Sequence, residues 1–524
     1  MKPLEIAPVA VPEEGGALPE AMSGEAGQRL NPRVQWAQAL VLVALFTAPA
    51  VMCLRSAYVA DPDVWWHLRS AEWIVERHAV PHTDPFSTFG AGKPWAAYSW
   101  LYELLVFWLF QRLGLVGIVA YSTGMAVAVT MAVHRLIRHL QADFSFAVLL
   151  TAVASLTLSR LYTPRPWLFT VLLFVLEVDL LMQARGNGKL RGLLWLPVIF
   201  ALWANLHIQF IDGLIVLAIA LAEAVLAKRR SGTQTCPRAG WLCGISIACL
   251  LATLANPYGW NIYRIAIDMV ANPGNPNLID EATAIPFRKL DDWIVLLLAF
   301  AAVAVLARAR QLALFETLVL AFAVVVTFRS QRDLWVMVTA ACAILAAELK
   351  GDEKNQLRLT AAATPFIVLA VALAALLSFR VLHVDNAGLR TKLSEELPVR
   401  AVEVVRETRW SGPLYNDFNW GGYLIWALRQ PVSIDGRTNI YGNNRIDHFA
   451  SIWNGQPGWN SDPDLVNAGL VIGPVTAPLT QLLHLDPRFQ LAYEDKLAAV
   501  FVARKIAPST LGTVTGTAPP VPVK

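Results

Sequence analysis

Long apolar runs broken by short basic turns fill the chain from Val34 to Phe379, and a more polar segment with brief apolar stretches follows. About 20 apolar residues cross a bilayer, and the first run, residues 34–59, meets that length. Further runs at 115–133, 145–161, 168–182, 193–206, 211–227, 241–255, 293–307, 312–328, 334–347 and 361–379 bring the expectation to about eleven spans. Residues 99–112 are too few to span and are expected to form a juxtamembrane helix, with Trp100, Tyr102 and Trp108 at headgroup level.

The basic residues fall in alternate loops: Arg135/Arg138, Arg185/Lys189/Arg191, Lys228/Arg229/Arg230, Arg308/Arg310 and Lys350/Lys354/Arg358. Lys and Arg collect on the cytoplasmic side of membrane helices. The pattern therefore predicts a multi-pass protein of the inner cell membrane with a cytoplasmic N-terminus. Residues 1–33, polar and rich in Pro, Gly, Ala and Glu, read as a disordered cytoplasmic tail. In the transmembrane domain, residues 34–380, the first outward loop is 60–114, and everything after about residue 380 also faces outward.

In residues 381–507 turn residues punctuate helices expected at 392–407, 421–428 and 478–483 and strands at 413–416, 432–435, 469–473, 489–494 and 498–503. The expected fold is an all-α polytopic membrane protein, about eleven transmembrane helices plus juxtamembrane helices, with a small outward-facing α/β soluble domain at its C-terminus. Residues 508–524, rich in Thr, Pro and Val, read as a disordered tail.

Composition supports this picture and narrows the function. Of 524 residues 56% are hydrophobic and 16% charged, and 19 are Trp, which excludes a soluble globular enzyme and a disordered chain. A net charge of +4 without clustered Lys and Arg excludes nucleic acid as a partner. The five cysteines fall mostly within apolar runs and read as buried small hydrophobes.

Candidate chemistry lies in the outward loops. Asp61-Pro62-Asp63 sets two carboxylates where the first span ends. They can serve as general base toward a hydroxyl or share a divalent metal such as Mg or Mn, and Asp63 would equally cap the following helix. Asp84 and Lys93 follow in the same loop. Arg165 stands in the rigid turn Thr163-Pro164-Arg165-Pro166, suited to bidentate contact with a phosphate. Arg329 and Arg332 are further phosphate candidates, or headgroup anchors and a partner for Asp333. His67, Asn205, His207 and Arg264 are supporting candidates; Asn205 and His207 also read as a buried capping pair. The long loop 256–290 can act as a lid. In the soluble segment Asn416-Asp417 and Asp435-Gly436-Arg437-Thr438 follow predicted strands, where ligand groups and plain turn formers both occur.

The order of these parts resembles the GT-C glycosyltransferases, among them the lipid A aminoarabinose transferases and protein O-mannosyltransferases. The resemblance covers residues 34–140 most clearly. The aminoarabinose transferases carry Pro-Asp-Glu and Glu-Lys-Pro where this chain has Pro62-Asp63-Val64 and Gly92-Lys93-Pro94. Asp63 and Lys93 thus carry over, and Asp61 and Asp84 stand as substitutes for the missing second acids. The resemblance implies inverting transfer from a polyprenyl-phosphate sugar donor to a lipid, glycan or protein acceptor, with Asp63 activating or orienting the acceptor hydroxyl. The soluble domain is then expected to influence acceptor choice. A transporter or flippase of lipid-linked saccharides is the rival reading, drawing on Glu177, Asp179 and Glu223 within spans, where pairing with nearby cations is expected. A third is a non-catalytic scaffold of an envelope polysaccharide system.

Overall fold

The computed structural model describes residues 32–188, 190–230, 239–271, 281, 283–308, 314–349, 351, 363–410 and 412–504. Residues 1–31 of the expected N-terminal tail, the whole expected C-terminal tail, Lys189, Arg310, Lys350, Lys354, Arg358 and most of the loop around 272–282 lie outside the described residues, as do the side chains of Lys228, Arg229 and Arg230; the last two residues of the expected N-terminal tail, 32 and 33, are helical and begin the first span.

Every predicted span is a helix. They are α1 Pro32–Ser56, α4 Leu115–Leu140, α5 Phe144–Leu158, α6 Trp167–Asn187, α7 Leu196–Leu206, α8 Phe210–Arg230, α9 Ala239–Ala252, α11 Leu290–Arg308, α12 Leu314–Arg329, α13 Leu334–Glu348 and α14 Ala363–Val381. Six of the described helices are long and apolar enough to cross a membrane, and the rest are shorter or less apolar. The protein is a multi-pass membrane protein of mainly helical fold. At its centre is α13, buried at every residue from Leu334 to Ala346 and packed against α4, α5, α6, α11 and α12. By contrast α14 touches the bundle mainly through α1 and exposes Phe366, Leu373 and Leu377, the pattern of a helix solvated by lipid.

Three further helices sit at the end of the bundle that carries the C-terminal residues: α2 Pro62–Arg77, α3 Trp100–Leu113 and α10 Asn261–Ala271. The helix α2 begins where Pro62 at its first position and Asp61 as N-cap suit a helix start. It ends at His78 in the left-handed region.

After α14 come α15 Asn386–Glu396 and α16 Val399–Thr408, then β1 Leu414–Asn416, α17 Gly421–Leu428, α18 Thr438–Tyr441, α19 Asn443–Trp453, α20 Pro463–Val466, β2 Leu470–Pro474, α21 Pro478–Leu483, β3 Phe489–Glu494 and β4 Ala498–Ala503. The strands form one mixed sheet in the order β1-β2-β4-β3, parallel between β1 and β2 and antiparallel elsewhere. The single helix expected at 392–407 is two, because Pro398 holds Leu397 extended at φ −117° and ψ 149°.

The strand expected at 432–435 is not in the sheet. On one side its backbone bonds to the first loop: Val432 N–H donates to Phe86 O at 3.1 Å and Val432 O accepts from Thr88 N–H at 2.7 Å. On the other, the Asn416 amide takes Ser433 N–H and Ile434 O, each at 2.9 Å. The predicted strand is therefore a seam between the soluble segment and loop 60–114.

That seam carries a buried ion cluster. Arg437 Nη1 donates to Asp84 Oδ1 at 2.7 Å, its Nη2 donates to Asp435 Oδ2 at 2.6 Å, and all three side chains are almost fully buried. The guanidinium also lies over the Trp95 and Phe86 rings, 4.7 and 5.2 Å from their centroids. Removing one partner of a buried ion pair leaves an uncompensated charge that costs about 3–5 kcal/mol. Arg437→Ala should therefore lower the melting temperature of the solubilised protein and speed proteolysis of the segment after α14, whereas exposed Arg400→Ala should do neither.

Candidate active site

The chain turn from α1 into α2 creates the site. Asp61, as N-cap, accepts from Asp63 N–H through Oδ1 at 2.9 Å, which leaves its Oδ2 to face the bundle. There Arg165 Nε donates to Asp61 Oδ2 at 2.7 Å and Arg165 Nη1 meets Asp63 Oδ2 at 2.8 Å. One guanidinium thus ties both acids of Asp61-Pro62-Asp63 to the turn between α5 and α6.

That turn is itself fixed from both sides. Tyr121 OH donates to the Arg165 carbonyl at 2.9 Å, Tyr102 OH donates to the Pro164 carbonyl, and the Arg165 guanidinium stacks over Trp167 at 4.9 Å. A third acid, Glu281, lies 3.2 Å from Arg165 Nη1. Arg165 Nη2 meets no acceptor among the described residues. The arrangement presents one preorganised N–H edge beside two fixed carboxylates.

Asp63 Oδ1 accepts from Trp66 Nε1 at 3.1 Å, and a fifth of the Asp63 side chain stays exposed. Burial raises the Asp63 carboxyl above its ordinary value while Arg165 acts against it. Glu281 is raised in the same way. Burial disfavours the Arg165 charge, but Asp61, Asp63 and Glu281 outweigh that and hold it charged, its pKa above the ordinary value.

The soluble segment closes over this pair. A Cβ on Gly436 would collide with Asp63 Oδ1, and one on Gly422 would collide with the Pro62 carbonyl oxygen. The backbone of 435–437 and the start of α17 lie directly on the first turn of α2.

His67 and Arg332 lie close enough to act on the charges of Asp63 and Glu281 respectively, and the other candidates lie elsewhere. His67 is buried one turn below Asp63, with Nδ1 3.0 Å from Glu103 Oε1, and Ser70 donates to the same carboxylate at 2.6 Å. Asp84 is the buried partner of Arg437 rather than a neighbour of Asp63. Lys93 is exposed and its Nζ donates to the Ile440 carbonyl at 3.3 Å, across the seam. Asn205 is fully engaged: its Oδ1 accepts from Trp100 Nε1 at 2.8 Å, and its amide nitrogen donates to the carbonyls of Ala201 and Ala255. His207 Nδ1 pairs with Thr170 Oγ1 at 2.8 Å, and burial pushes its pKa down to about 3, so the ring is neutral at pH 7. Arg329 and Arg264 are exposed, and Arg332 lies 3.9 Å from Asp333. Asn416 is the seam residue described above. Asp417, half-buried, accepts from Asn419 N–H at 2.9 Å, and burial raises it to about 6.

Of the acids within spans, Asp179 pairs with His139 at 2.6 Å and with Arg135 at 3.2 Å, and Glu223 pairs with Arg185. Glu177 departs from the expectation. Neither of its oxygens has a hydrogen-bond partner among the described residues, and its carboxylate lies where a Cβ on Gly213 would stand.

A divalent cation needs free oxygen ligands. All four oxygens of Asp61 and Asp63 are engaged by Arg165, Trp66 and the α2 backbone, and no group of three or more His, Cys, Asp or Glu among the described residues is placed to hold a metal. The donor set as arranged does not fit a divalent ion.

No family model and no curated protein matches the chain. Solved structures are similar to it at low identity. An oligosaccharyltransferase of Archaeoglobus fulgidus tethered with an acceptor peptide is 13% identical, with 84% of this chain and 69% of that chain covered at a TM-score of 0.49. ArnT of Cupriavidus metallidurans bound to undecaprenyl phosphate is 13% identical, with 89% and 99% covered at 0.47. The arabinofuranosyltransferase AftD from Mycobacteria is 12% identical, with 92% and 40% covered at 0.42.

Sequence reasoning missed Glu281, Glu103 and Trp66. Glu103 is the lone acid of α3 and could have been found as such. Glu281 had only its place within a long loop to mark it. Because Asn can replace Asp as an N-cap while giving up the charge, Asp61→Asn should keep α2 and weaken only the hold on Arg165. Asp61→Ala should lose about 1 kcal/mol more through the cap, a difference that thermal unfolding of the two variants measures.

Proposed function

We propose that this protein is a membrane glycosyltransferase that moves a sugar from a polyprenyl-phosphate donor to an acceptor hydroxyl at the membrane surface on the side of the soluble domain, with both that domain and the site outside the cytoplasm. The observation that carries the reading is the single guanidinium of Arg165 shared by Asp61 and Asp63 at the mouth of the bundle, with Nη2 left without an acceptor among the described residues.

In this reading the donor phosphate meets Arg165 at Nη2, where a fixed cation is worth most as negative charge develops on the leaving group. Asp63 takes the acceptor proton as the acceptor oxygen forms its bond to the anomeric carbon. The bond from that carbon to the phosphate oxygen breaks and its electron pair leaves with the polyprenyl phosphate, inverting the anomeric centre. Asp61 keeps Arg165 and α2 in register. His67 and Glu103 support Trp66, which orients Asp63. No step uses a metal.

Full-length protein in nanodiscs, given labelled polyprenyl-phosphate sugars and candidate acceptors, should form labelled product, and Asp63→Ala and Arg165→Ala should each lose about 100-fold or more at matched folding. Product formed equally by wild type and both variants would end the reading. Asp63 must be ionised to act, and burial raises its pKa. Transfer should therefore fall on the acid side at a pH above the ordinary carboxylate value of about 4. Residual transfer by Arg165→Gln should fall at a still higher pH, because the cation that lowers Asp63 is gone.

Glu177 favours a second reading, transport of a lipid-linked saccharide, since an unpartnered acid within a span is a functional candidate. Under it, Glu177→Gln would abolish flipping of a labelled lipid-linked sugar across vesicles. Under the transferase reading the same variant retains transfer.

A further inference from the structure

The two oxygens of Asp63 face different parts of the protein. Oδ2 is held by Arg165, on the turn between two membrane helices, where a lipid phosphate arrives. Oδ1 faces Trp66 Nε1 and the backbone of Gly436, which belongs to the soluble segment. The Gly436 backbone is thus the part of the soluble segment that lies against the Asp63 oxygen not held by Arg165.

The backbone at Gly436 does not adopt the left-handed conformation that favours glycine. The residue is instead short because Asp63 Oδ1 occupies the place of a Cβ. Its position is set by its neighbours. Asp435 Oδ1 accepts from Arg437 N–H at 2.9 Å and Arg437 Nε at 2.8 Å, and its Oδ2 accepts from Tyr441 OH at 2.7 Å. Arg437 in turn reaches Asp84 on the first loop. A fully satisfied buried polar cluster of this kind fixes a unique geometry, and here it fixes the height of the Gly436 backbone above Asp63.

We propose that the Asp435-Gly436-Arg437 turn is the acceptor-side wall of the site, with Gly436 a specificity-determining residue that sets how closely an acceptor hydroxyl approaches Asp63, and with Asp435, Arg437 and Asp84 as positioning residues that hold it there. This rests on the transferase reading and deepens it. The soluble segment is then a built-in part of the site rather than an accessory receptor.

Two measurements on full-length protein test this. The first is a melting cycle. Gly436→Ala should lower the melting temperature in wild type and much less in an Asp63→Gly background, where the colliding side chain is gone. Equal loss in both backgrounds, or failure of the double variant to fold, would overturn the contact. This cycle needs no substrate, so it stands apart from any failure of the transferase reading.

The second is kinetic. Displacing a reacting group by about 1 Å can cost about 100-fold. Gly436→Ala should reduce kcat/KM for the acceptor on that order, and bulky acceptors should suffer more than small ones. Binding of a polyprenyl phosphate, measured on the same sample, should change by less than about twofold. Arg437→Lys, which keeps the charge but not the fork geometry, should shift acceptor kcat/KM in the same direction by a smaller factor. Unchanged acceptor kinetics, or a loss of lipid-phosphate binding equal to the loss of transfer, would overturn the assignment.

Discussion

The guanidinium of Arg165, gripped by Asp61 and Asp63, is the constraint around which the rest of the site is arranged. Two carboxylates two residues apart repel each other unless a cation sits between them, and burial sharpens that requirement. Arg165 meets it from a proline-bracketed turn whose carbonyls are held by Tyr102 and Tyr121. The pairing also joins two parts of the chain, the N-terminus of α2 and the entry to α6. An interaction of this kind makes the site rigid before any ligand arrives, which is where electrostatic stabilisation of a developing charge gains its strength.

A second constraint acts from above. The seam at 432–437 binds the soluble segment to loop 60–114 through backbone bonds, an Asn416 amide and the Arg437 cluster. Because Gly422 and Gly436 let α17 and the following turn approach the first turn of α2 so closely, the membrane bundle and the soluble segment share one interior. The fold therefore encloses most of Asp63, and the acid keeps a fifth of its side chain open.

Much of this was legible in the sequence where a local rule decides the outcome. Apolar run length gave the helices of the bundle, and alternation with turn residues gave β1 to β4 and α17 and α21. The Pro-Arg-Pro turn and the Asp-Pro-Asp start of α2 marked Arg165, Asp61 and Asp63 by local chemistry alone. What was illegible depends on distant partners. Asp84 looked like a site acid, and only the fold pairs it with Arg437, more than 350 residues away. The stretch 432–435 has the composition of a strand, yet its backbone bonds are claimed by a loop far earlier in the chain. Glu281 and Gly436 carry no local signal for their contacts with Arg165 and Asp63. Pro398 is the converse case: a local rule that was present in the sequence and breaks a helix that periodicity alone runs straight through.

The central claim is that Arg165 is the phosphate-binding cation of the site, and the most direct measurement is a cryo-EM structure of the full chain in nanodiscs containing a polyprenyl phosphate. The account predicts phosphate density at hydrogen-bond distance from Arg165 Nη2, with the lipid tail leaving between membrane helices and Asp63 still beneath Gly436. Phosphate density at another cation, with the Arg165 edge vacant, would contradict it.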